Sequence, residues 1–161
     1  LRNNPNSRRH LITTLNVADL DRMSLWPCHG IAIQCYVRSN LYIDMKVYQR
    51  SADVVLGLPF NIASYAALLA AIATKVEGLV PGKLYYDLAD AHIYRNHVSK
   101  LVKSGILDCE PHTPRFSLEM EDPNPLSPYN EELDLPIEDI VSRFYLKNYT
   151  HHGKLSFEVS V

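Results

Sequence analysis

The sequence predicts an α/β (α+β) fold in which a β-sheet packs on one buried helix, within a single domain over residues 1–161. The stretches Ile31–Val37 and Leu41–Tyr48 are rich in β-branched and aromatic residues and are separated by turn residues, a pattern typical of a β-hairpin. The stretch Ile62–Val76 is apolar on most faces, so we expect it to form a helix inside the core. A chain of 161 residues is long enough to bury both elements in one core.

The remaining segments complete the prediction in chain order. His10–Asn16 alternates in hydropathy and predicts a strand, whereas Val17–Met23, with its early acidic residues, predicts a short helix. Gln49–Asn61 contains Gly57 and Pro59 and predicts a loop. Downstream, the sequence predicts a strand at Lys83–Leu88, an amphipathic helix at Ala91–Val102, a surface excursion at Pro111–Pro136 with a strand at Arg115–Met120, and two strand-like stretches between Phe144 and Val161.

The composition limits the classes of partner and site. The formal net charge is −2, so the chain lacks the basic field that attracts nucleic acid or an anionic membrane surface. Its three cysteines, Cys28, Cys35 and Cys109, show no CxxC motif and no regular spacing, which argues against a disulfide framework and a zinc cage. No apolar run reaches the ~18 residues of a membrane span, and the first residues lack a signal-peptide pattern. We therefore expect a soluble, cytoplasmic protein.

The tetrapeptide Trp26-Pro27-Cys28-His29 contains the first candidate for chemistry. A cysteine that follows a proline at the start of a strand, next to a histidine, has the setting of a nucleophile whose thiolate is favoured by nearby positive charge. Free cysteines are more often buried small hydrophobes, and the tetrapeptide alone favours this ordinary explanation.

A phosphate-binding pattern follows at the end of the hairpin. Arg50 and Ser51 offer a planar guanidinium and a hydroxyl donor, the groups that commonly hold a phosphate oxygen. A surface ion pair between Arg50 and Asp53 explains the same residues equally well. The adjacent Arg8 and Arg9 add positive charge and favour the phosphate interpretation.

Two further groups have the chemistry of nucleotide ligands. Asn61 either caps the buried helix or presents an amide donor and acceptor to the edge of a uracil, and sequence position alone does not separate the two. The spacing of His92 and Tyr94 predicts that both lie on one side of an extended segment, within reach of a ribose hydroxyl, although a packed or solvated histidine is the more ordinary explanation. A metal site formed by His92, His97 and Asp90 is disfavoured, because the spacing matches no helical HxxxH pair.

The order of these motifs along the chain is more specific than any one of them. The sequence reads PCH, then YQRSADVVLGLPFNIASY, then DAHIYRNH, and this combination strongly resembles the thymidylate synthase family over nearly the whole chain. The resemblance implies a mixed, twisted sheet and a homodimer in which the sheets of two subunits pack face to face. It also implies a folate-dependent transferase that converts dUMP to dTMP, with 5,10-methylenetetrahydrofolate as co-substrate and without a metal.

The resemblance implies a role for each candidate residue. Cys28 resembles the nucleophile that adds to carbon 6 of the pyrimidine, Asn61 the residue that reads the pyrimidine edge, and Asp53 the carboxylate between nucleotide and folate. Arg8 and Arg9 resemble the pair that crosses the dimer interface to the neighbour's phosphate. The implied dUMP-binding residues are Arg8, Arg9, His29, Gln49, Arg50, Ser51, Asn61, His92 and Tyr94. The implied folate-binding residues are Asp53, Leu56, Phe60 and Val161.

Departures from the family pattern leave alternatives open. One extra residue lies between His29 and Gln34, and Leu-Ala-Asp at positions 88–90 replaces the expected Gly-Gly-Asp. The chain also begins where a typical member is well under way, so we expect the C-terminal portion of a longer fold. Besides the synthase, the sequence allows a hydroxymethylase that converts dUMP to hydroxymethyl-dUMP, or a non-catalytic nucleotide-binding or dimerisation module. Asn61 favours uracil over cytosine, since related deoxycytidylate hydroxymethylases have aspartate there.

Overall fold

The computed structural model of the protein describes residues 1–109, 117–120, 144–151 and 153–160. Within them the chain forms β-strands and α-helices, together with short 3₁₀ turns at Val17–Arg22 and Ile106–Asp108. The strands are β1 (Leu11–Ile12), β2 (Ala32–Arg38), β3 (Tyr42–Asp53), β4 (Val80–His92), β5 (Ser117–Met120) and β6 (Phe144–Lys147). The helices are α1 (Gly57–Thr74) and α2 (Arg95–Ser104).

Four strands form one mixed sheet in the order β1-β2-β3-β4. β2 and β3 form the predicted hairpin, whose turn residues Ser39 and Asn40 both have positive φ (54° and 53°), as a tight turn between twisted antiparallel strands requires. β4 lies parallel to β3, and α1 connects the two, because parallel neighbours need a crossover. The mixed sheet that the family resemblance implies is therefore confirmed.

The core lies between the sheet and one face of α1. Inward-facing residues alternate along β2, because successive side chains of a strand point to opposite faces. Tyr65, Leu69 and Ala73 recur every four residues on α1 and meet them from the helix side. The buried cluster consists of Ile33, Cys35, Ile43, Met45, Val47, Tyr65, Leu69 and Ala73. Cys35 is thus an ordinary core thiol, and burial raises its pKa.

α1 is buried on one side only. Phe60 and Ile62 are 69% and 41% exposed, although the sequence predicts a helix buried nearly all round. The apolar pattern covers the whole circumference of the helix, but one sheet covers only the face that carries Tyr65 and Leu69. The helix is confirmed, whereas complete burial is wrong for the described part of the chain.

The predicted loop between the hairpin and the buried helix is mostly regular structure. β3 continues through Gln49–Asp53, and α1 begins at Gly57 rather than Ile62. Polar residues and a Gly-x-Pro sequence indicate a loop when only composition is considered. Here the backbone of Gln49–Asp53 pairs with β4, and strand pairing does not depend on side-chain polarity.

The other boundaries shift in the same way. β4 extends to His92, so α2 begins at Arg95 instead of Ala91. Of the predicted strand His10–Asn16, only Leu11–Ile12 pairs with β2. Strand ends depend on the partner strand, which a local pattern does not contain.

The structure describes only part of the C-terminal prediction. β5 pairs antiparallel with β6, so the strand expected near Met120 is confirmed, while the rest of Pro111–Pro136 lies outside the described residues. Of the two strand-like stretches near the end, the first is β6; the second is wrong, since residues 153–160 form no regular element. In the described ranges, neither helix is long and apolar enough to cross a membrane.

Asp44 joins β2, β3 and β4. Its carboxylate accepts hydrogen bonds from the Arg38 side chain (2.9 and 3.3 Å) and from the Lys83 backbone N–H (2.8 Å). Only 6% of Asp44 is exposed, and the hydrogen bond from Arg38 holds the pKa of its carboxyl below the usual value. The carboxylate therefore fixes the start of β4 against the hairpin.

Asp44→Asn is expected to lower the free energy of unfolding by about 2 kcal/mol at neutral pH, because it removes the acceptor charge from a buried, bonded group. The folded-state pKa of Asp44 lies below its unfolded value. Its contribution is therefore complete above the unfolded pKa and is lost as the pH falls through the folded-state pKa. Urea unfolding of both proteins, from neutral pH down through the folded-state pKa of Asp44, measures the loss of stability in the variant and its dependence on pH.

Asp87→Asn is the matched control, because Asp87 pairs with Lys46 at the surface, with side chains 51% and 59% exposed. Its loss should change the free energy of unfolding by less than about 0.5 kcal/mol. Equal losses from the two variants would contradict the structural role of Asp44.

Candidate active site

Most of the polar residues predicted to bind the nucleotide meet at one edge of the sheet, and Arg8 and Arg9 are the exceptions. β3 and β4 are parallel and end together, with Ser51 opposite Asp90 and Asp53 opposite His92. The backbone N–H of Val54 donates to the carbonyl of His92 (3.0 Å), which ties the two strand ends. Ligands of open α/β sheets bind outside the carboxyl ends of parallel strands, so this edge is the candidate active site.

Arg50 fixes the segment that carries Cys28. Its guanidinium donates to the carbonyl oxygens of Pro27 and Trp26 (both 3.0 Å), and its backbone N–H donates to the carbonyl of Cys28 (2.9 Å). Within the part of the chain that the structure describes, Arg50 does not form the alternative ion pair with Asp53. Arg50 instead holds the backbone on both sides of Cys28, a half-buried free cysteine.

A histidine and two tyrosines lie beside Cys28. His29 Nδ1 and the Tyr65 hydroxyl are hydrogen-bonded at 2.8 Å, and the Tyr65 and Tyr86 rings are 5.7 Å apart. Burial, and then the negative charge of Cys28, raises the pKa of Tyr65. Burial, with smaller effects of Tyr65 and Cys28, raises the pKa of Tyr86 to about 12. Both hydroxyls therefore stay neutral near physiological pH. The Tyr65 hydroxyl is bonded to His29, whereas the buried Tyr86 hydroxyl has no hydrogen-bond partner among the described residues.

Gly30 allows the chain to pass close to the Tyr65 hydroxyl. Its φ is +67°, and a Cβ at this position would collide with that hydroxyl. Gly30→Ala is expected to lower the free energy of unfolding by about 3 kcal/mol, because strain at positive φ adds to the collision. Thermal unfolding measures the loss. Gly78→Ala shares the positive φ (+79°) in open space and should cost only about 1 kcal/mol, so equal losses would refute the close contact.

Gln49 and Asn61 form an amide pair between β3 and α1. The Gln49 amide donates to Asn61 Oδ1 (3.3 Å) and to the Ser51 carbonyl (2.8 Å), and Gln49 is only 1% exposed. The N-cap of α1 is Leu56, so the hypothesis that Asn61 caps the helix is wrong. Among the described residues, the buried Gln49 Oε1 has no hydrogen-bond donor. A ligand or water that donates to Oε1 would remove the penalty of this unpaired acceptor.

Asp53 shapes the turn from β3 into α1. Its Oδ1 accepts from the backbone N–H groups of Val55 (3.0 Å) and Leu56 (3.2 Å), an Asx-type turn that fixes the carboxylate. The side chain remains 18% exposed and lies 3.9 Å from Nδ1 of His97. The two residues expected to face folate follow at once: Leu56 is half-buried, and Phe60 is exposed.

His92 and Tyr94 lie together beyond the end of β4. Both are half-buried, and their rings meet edge to face with centroids 5.0 Å apart. His92 Nδ1 also lies 3.4 Å from Asp90 Oδ1. The predicted ribose pair is thus at the same edge as Ser51 and Asp53. In the described ranges, no group of three or more His, Cys, Asp or Glu residues has the arrangement of a metal site.

The two adjacent arginines lie elsewhere. Arg8 and Arg9 are exposed in the segment before β1, and the Arg8 carbonyl accepts from the side chain of Gln34 on β2 (3.5 Å). Within one chain, the structure therefore does not bring them to the Cys28 segment. Val161 lies outside the described residues.

Three side chains at this edge do not follow from inspection of the motifs. Tyr65 follows Asn61 by four residues, so helical spacing places both on one face of α1 and could have identified Tyr65. Tyr86 alternates inward along β4, a weaker signal of the same kind. No local pattern identifies His97 as a neighbour of Asp53, because their proximity depends on how α2 packs.

Comparisons with known proteins identify the family and the fold of this chain. The family model for thymidylate synthase matches residues 1–161. A probable thymidylate synthase of Escherichia phage T5 is 52% identical over 101 residues, which are 63% of this chain and 36% of that protein. The crystal structure of thymidylate synthase from T4 phage matches with a TM-score of 0.74 and 35% identity, over 98% of this chain and 54% of that chain.

The matched regions span only 36% and 54% of the lengths of these two relatives. The family match nevertheless extends over all 161 residues, and the fold agrees with that of a solved family member. The chain belongs to the thymidylate synthase family.

Proposed function

We propose that the protein transfers a one-carbon unit from methylenetetrahydrofolate to carbon 5 of dUMP, through a covalent bond between Cys28 and carbon 6, and releases dTMP. One observation carries this proposal: a thiol segment held by Arg50 and the amide pair of Gln49 and Asn61 converge at one edge of the sheet. Family membership supports the reaction class, and these contacts support the assignment of its steps to residues.

Asn61 reads the pyrimidine. Uracil presents an N–H donor beside a carbonyl acceptor, and an amide side chain offers the complementary acceptor and donor. The hydrogen bond from Gln49 orients the Asn61 amide, because it fixes which end carries the oxygen. The unpaired Gln49 Oε1 supports the presence of a donor from the ligand or its bound water.

Arg50 and Ser51 hold the 5′-phosphate. Arg50 uses its Nε and one Nη2 hydrogen for the carbonyls of the Cys28 segment, and a guanidinium has five N–H donors, so donors remain for phosphate oxygens. The same side chain then connects the phosphate to the nucleophile. His92 and Tyr94 complete nucleotide binding at the ribose hydroxyl; their rings pack on each other, and His92 lies opposite Asp53 in the register of the two strand ends.

The working protein is a homodimer in which Arg8 and Arg9 reach the phosphate in the neighbouring subunit. Their exposure, and the contact of the Arg8 backbone with Gln34 of β2, support this role. The sheet face opposite α1 also carries exposed aromatic residues, which favour packing against a second sheet. They are Tyr36, Tyr48 and Tyr85, which are 55%, 40% and 48% exposed.

The chemistry begins when the Cys28 thiolate adds to carbon 6, which makes carbon 5 nucleophilic as part of an enolate. Asn61 stabilises the negative charge that develops on the ring oxygen by donating a hydrogen bond. Methylenetetrahydrofolate, when bound, supplies the one-carbon unit and, for dTMP, a hydride. Once the one-carbon unit is bonded to carbon 5, that carbon loses its proton as the folate leaves, which gives an exocyclic methylene. Transfer of the hydride to this methylene expels the Cys28 thiolate from carbon 6 and releases dTMP.

Asp53, Leu56 and Phe60 fit a folate. The exposed Phe60 ring offers a flat apolar surface to a pterin, and the Asp53 carboxylate offers an acceptor to its N–H groups. Both lie at the start of α1, beside the amide pair that reads the pyrimidine.

Product analysis tests the proposal. Incubation with dUMP and methylenetetrahydrofolate should give dTMP and dihydrofolate in equal amounts, because the folate supplies the hydride. Hydroxymethyl-dUMP with tetrahydrofolate would identify a hydroxymethylase instead, since water then takes the place of the hydride. dUMP binding without either product would identify a non-catalytic nucleotide-binding module.

A further inference from the structure

His97 contacts three parts of the candidate site from the first turn of α2. It is 1% exposed, and its ring lies 5.8 Å from the Tyr94 ring and 5.1 Å from the Phe157 ring. Phe157 belongs to the tail, defined here as residues 153–160, which runs along α2. A buried polar ring between the tail and the ribose pair needs partners for both nitrogens.

The two nitrogens of His97 face different groups. Nε2 lies 2.7 Å from the carbonyl oxygen of Glu158, which only accepts, so Nε2 carries a proton and donates. Nδ1 points toward Asp53 Oδ1 at 3.9 Å and has no hydrogen-bond partner among the described residues. The ring thus joins the tail backbone on one side to the Asp53 carboxylate on the other.

Two other residues of α2 also hold the tail. Lys100 donates to the carbonyl of Ser156 and lies over the Phe157 ring, with Nζ 5.4 Å from its centroid. Asn96 Oδ1 accepts from the Ser160 hydroxyl (2.9 Å). Of the three α2 residues that hold the tail, His97 is the one that also faces Asp53.

We propose that His97 is a positioning residue that couples the placement of the tail to the orientation of Asp53. This inference rests on the proposed function, in which Asp53 lies between the nucleotide and the folate. Movement of the tail shifts the His97 ring, because Nε2 is hydrogen-bonded to the Glu158 carbonyl. The shifted ring then changes the electric field and the space around the Asp53 carboxylate, because Nδ1 faces that group. Nucleotide binding at Cys28 and Arg50 does not involve this connection.

His97→Leu and His97→Gln separate the contact of His97 with the tail from its contact with Asp53. Leucine removes both contacts, so the KM for methylenetetrahydrofolate should rise about tenfold while the KM for dUMP changes less than about twofold. Glutamine keeps an amide donor for the Glu158 carbonyl but places no nitrogen toward Asp53. It should restore slow hydrogen exchange of the tail amides while the folate KM stays raised.

Lys100→Met is the matched control, because it loosens the tail without touching Asp53. It should speed tail exchange, as His97→Leu does, and should shift the Asp53 carboxyl ¹³C resonance of the ligand-free protein, because His97 is intact and transmits the change. In a His97→Leu background the same substitution should produce no further shift. Both His97 variants should shift that resonance.

Two outcomes would overturn the coupling: recovery of the folate KM in His97→Gln together with tail protection, or an unchanged Asp53 resonance in both His97 variants. The resonance and the exchange rates are measured without ligand, so they distinguish failure of this inference from failure of the proposed function. If the unmodified protein forms no product but the His97 variants shift the Asp53 resonance as expected, only the proposed function is refuted.

Discussion

Replacement of Cys28 by serine is expected to lower kcat by at least about 10⁴-fold, because a neutral hydroxyl beside Arg50 does not become the anion that must add to carbon 6. The Kd for dUMP should change by less than about threefold, since Asn61, Arg50 and Ser51 supply the nucleotide contacts in the proposed site. Turnover under saturating folate and isothermal titration with dUMP measure the two quantities separately.

Cys109→Ser is the control for this substitution. Cys109 is an exposed free cysteine at the end of the 3₁₀ turn that follows α2. The Cys109→Ser variant should retain full activity. Turnover of Cys28→Ser within tenfold of the unmodified protein would refute the nucleophile assignment.

Asn61→Asp is expected to lower kcat/KM for dUMP by about 10²-fold or more, because a site built to pair a donor and an acceptor loses its donor. A carboxylate at this position places an acceptor opposite the uracil carbonyl, which is itself an acceptor. The exocyclic amine of cytosine, in contrast, can donate to the carboxylate. Discrimination between dUMP and dCMP should therefore fall. Competition between the two nucleotides in one assay measures the change directly.

Asn3→Asp adds the same negative charge at an exposed position of the N-terminal segment and should leave both kcat/KM values unchanged. Equal preference for dUMP in Asn61→Asp and in the unmodified protein would show that Asn61 does not read the pyrimidine.

The elements that carry the site follow local rules, which is why the sequence predicts them. Ser39 and Asn40 adopt the positive φ of a tight hairpin turn, and the apolar stretch after Asn61 becomes the body of α1. The order of the motifs, with its family resemblance, predicts that Arg50 and Asn61 belong to one site. The structure places both at the edge where β3 ends.

Other features depend on contacts between segments that are distant in the sequence. The start of α1 at Gly57 follows the Asx turn of Asp53, and it turns Asn61 from an expected helix cap into a side chain facing Gln49. The approach of His97 to Asp53 depends on the packing of α2 beside the strand ends. No local periodicity contains this information, because it arises from tertiary packing.

Covalent capture of the nucleotide tests the central claim most directly. 5-Fluoro-dUMP carries fluorine where carbon 5 must lose a proton, so the adduct with Cys28 cannot proceed to product. The protein incubated with 5-fluoro-dUMP and methylenetetrahydrofolate should gain the mass of both, and peptide mapping should place the gain on Cys28. An unchanged intact mass at saturating ligands, or an adduct on a residue other than Cys28, would contradict the claim.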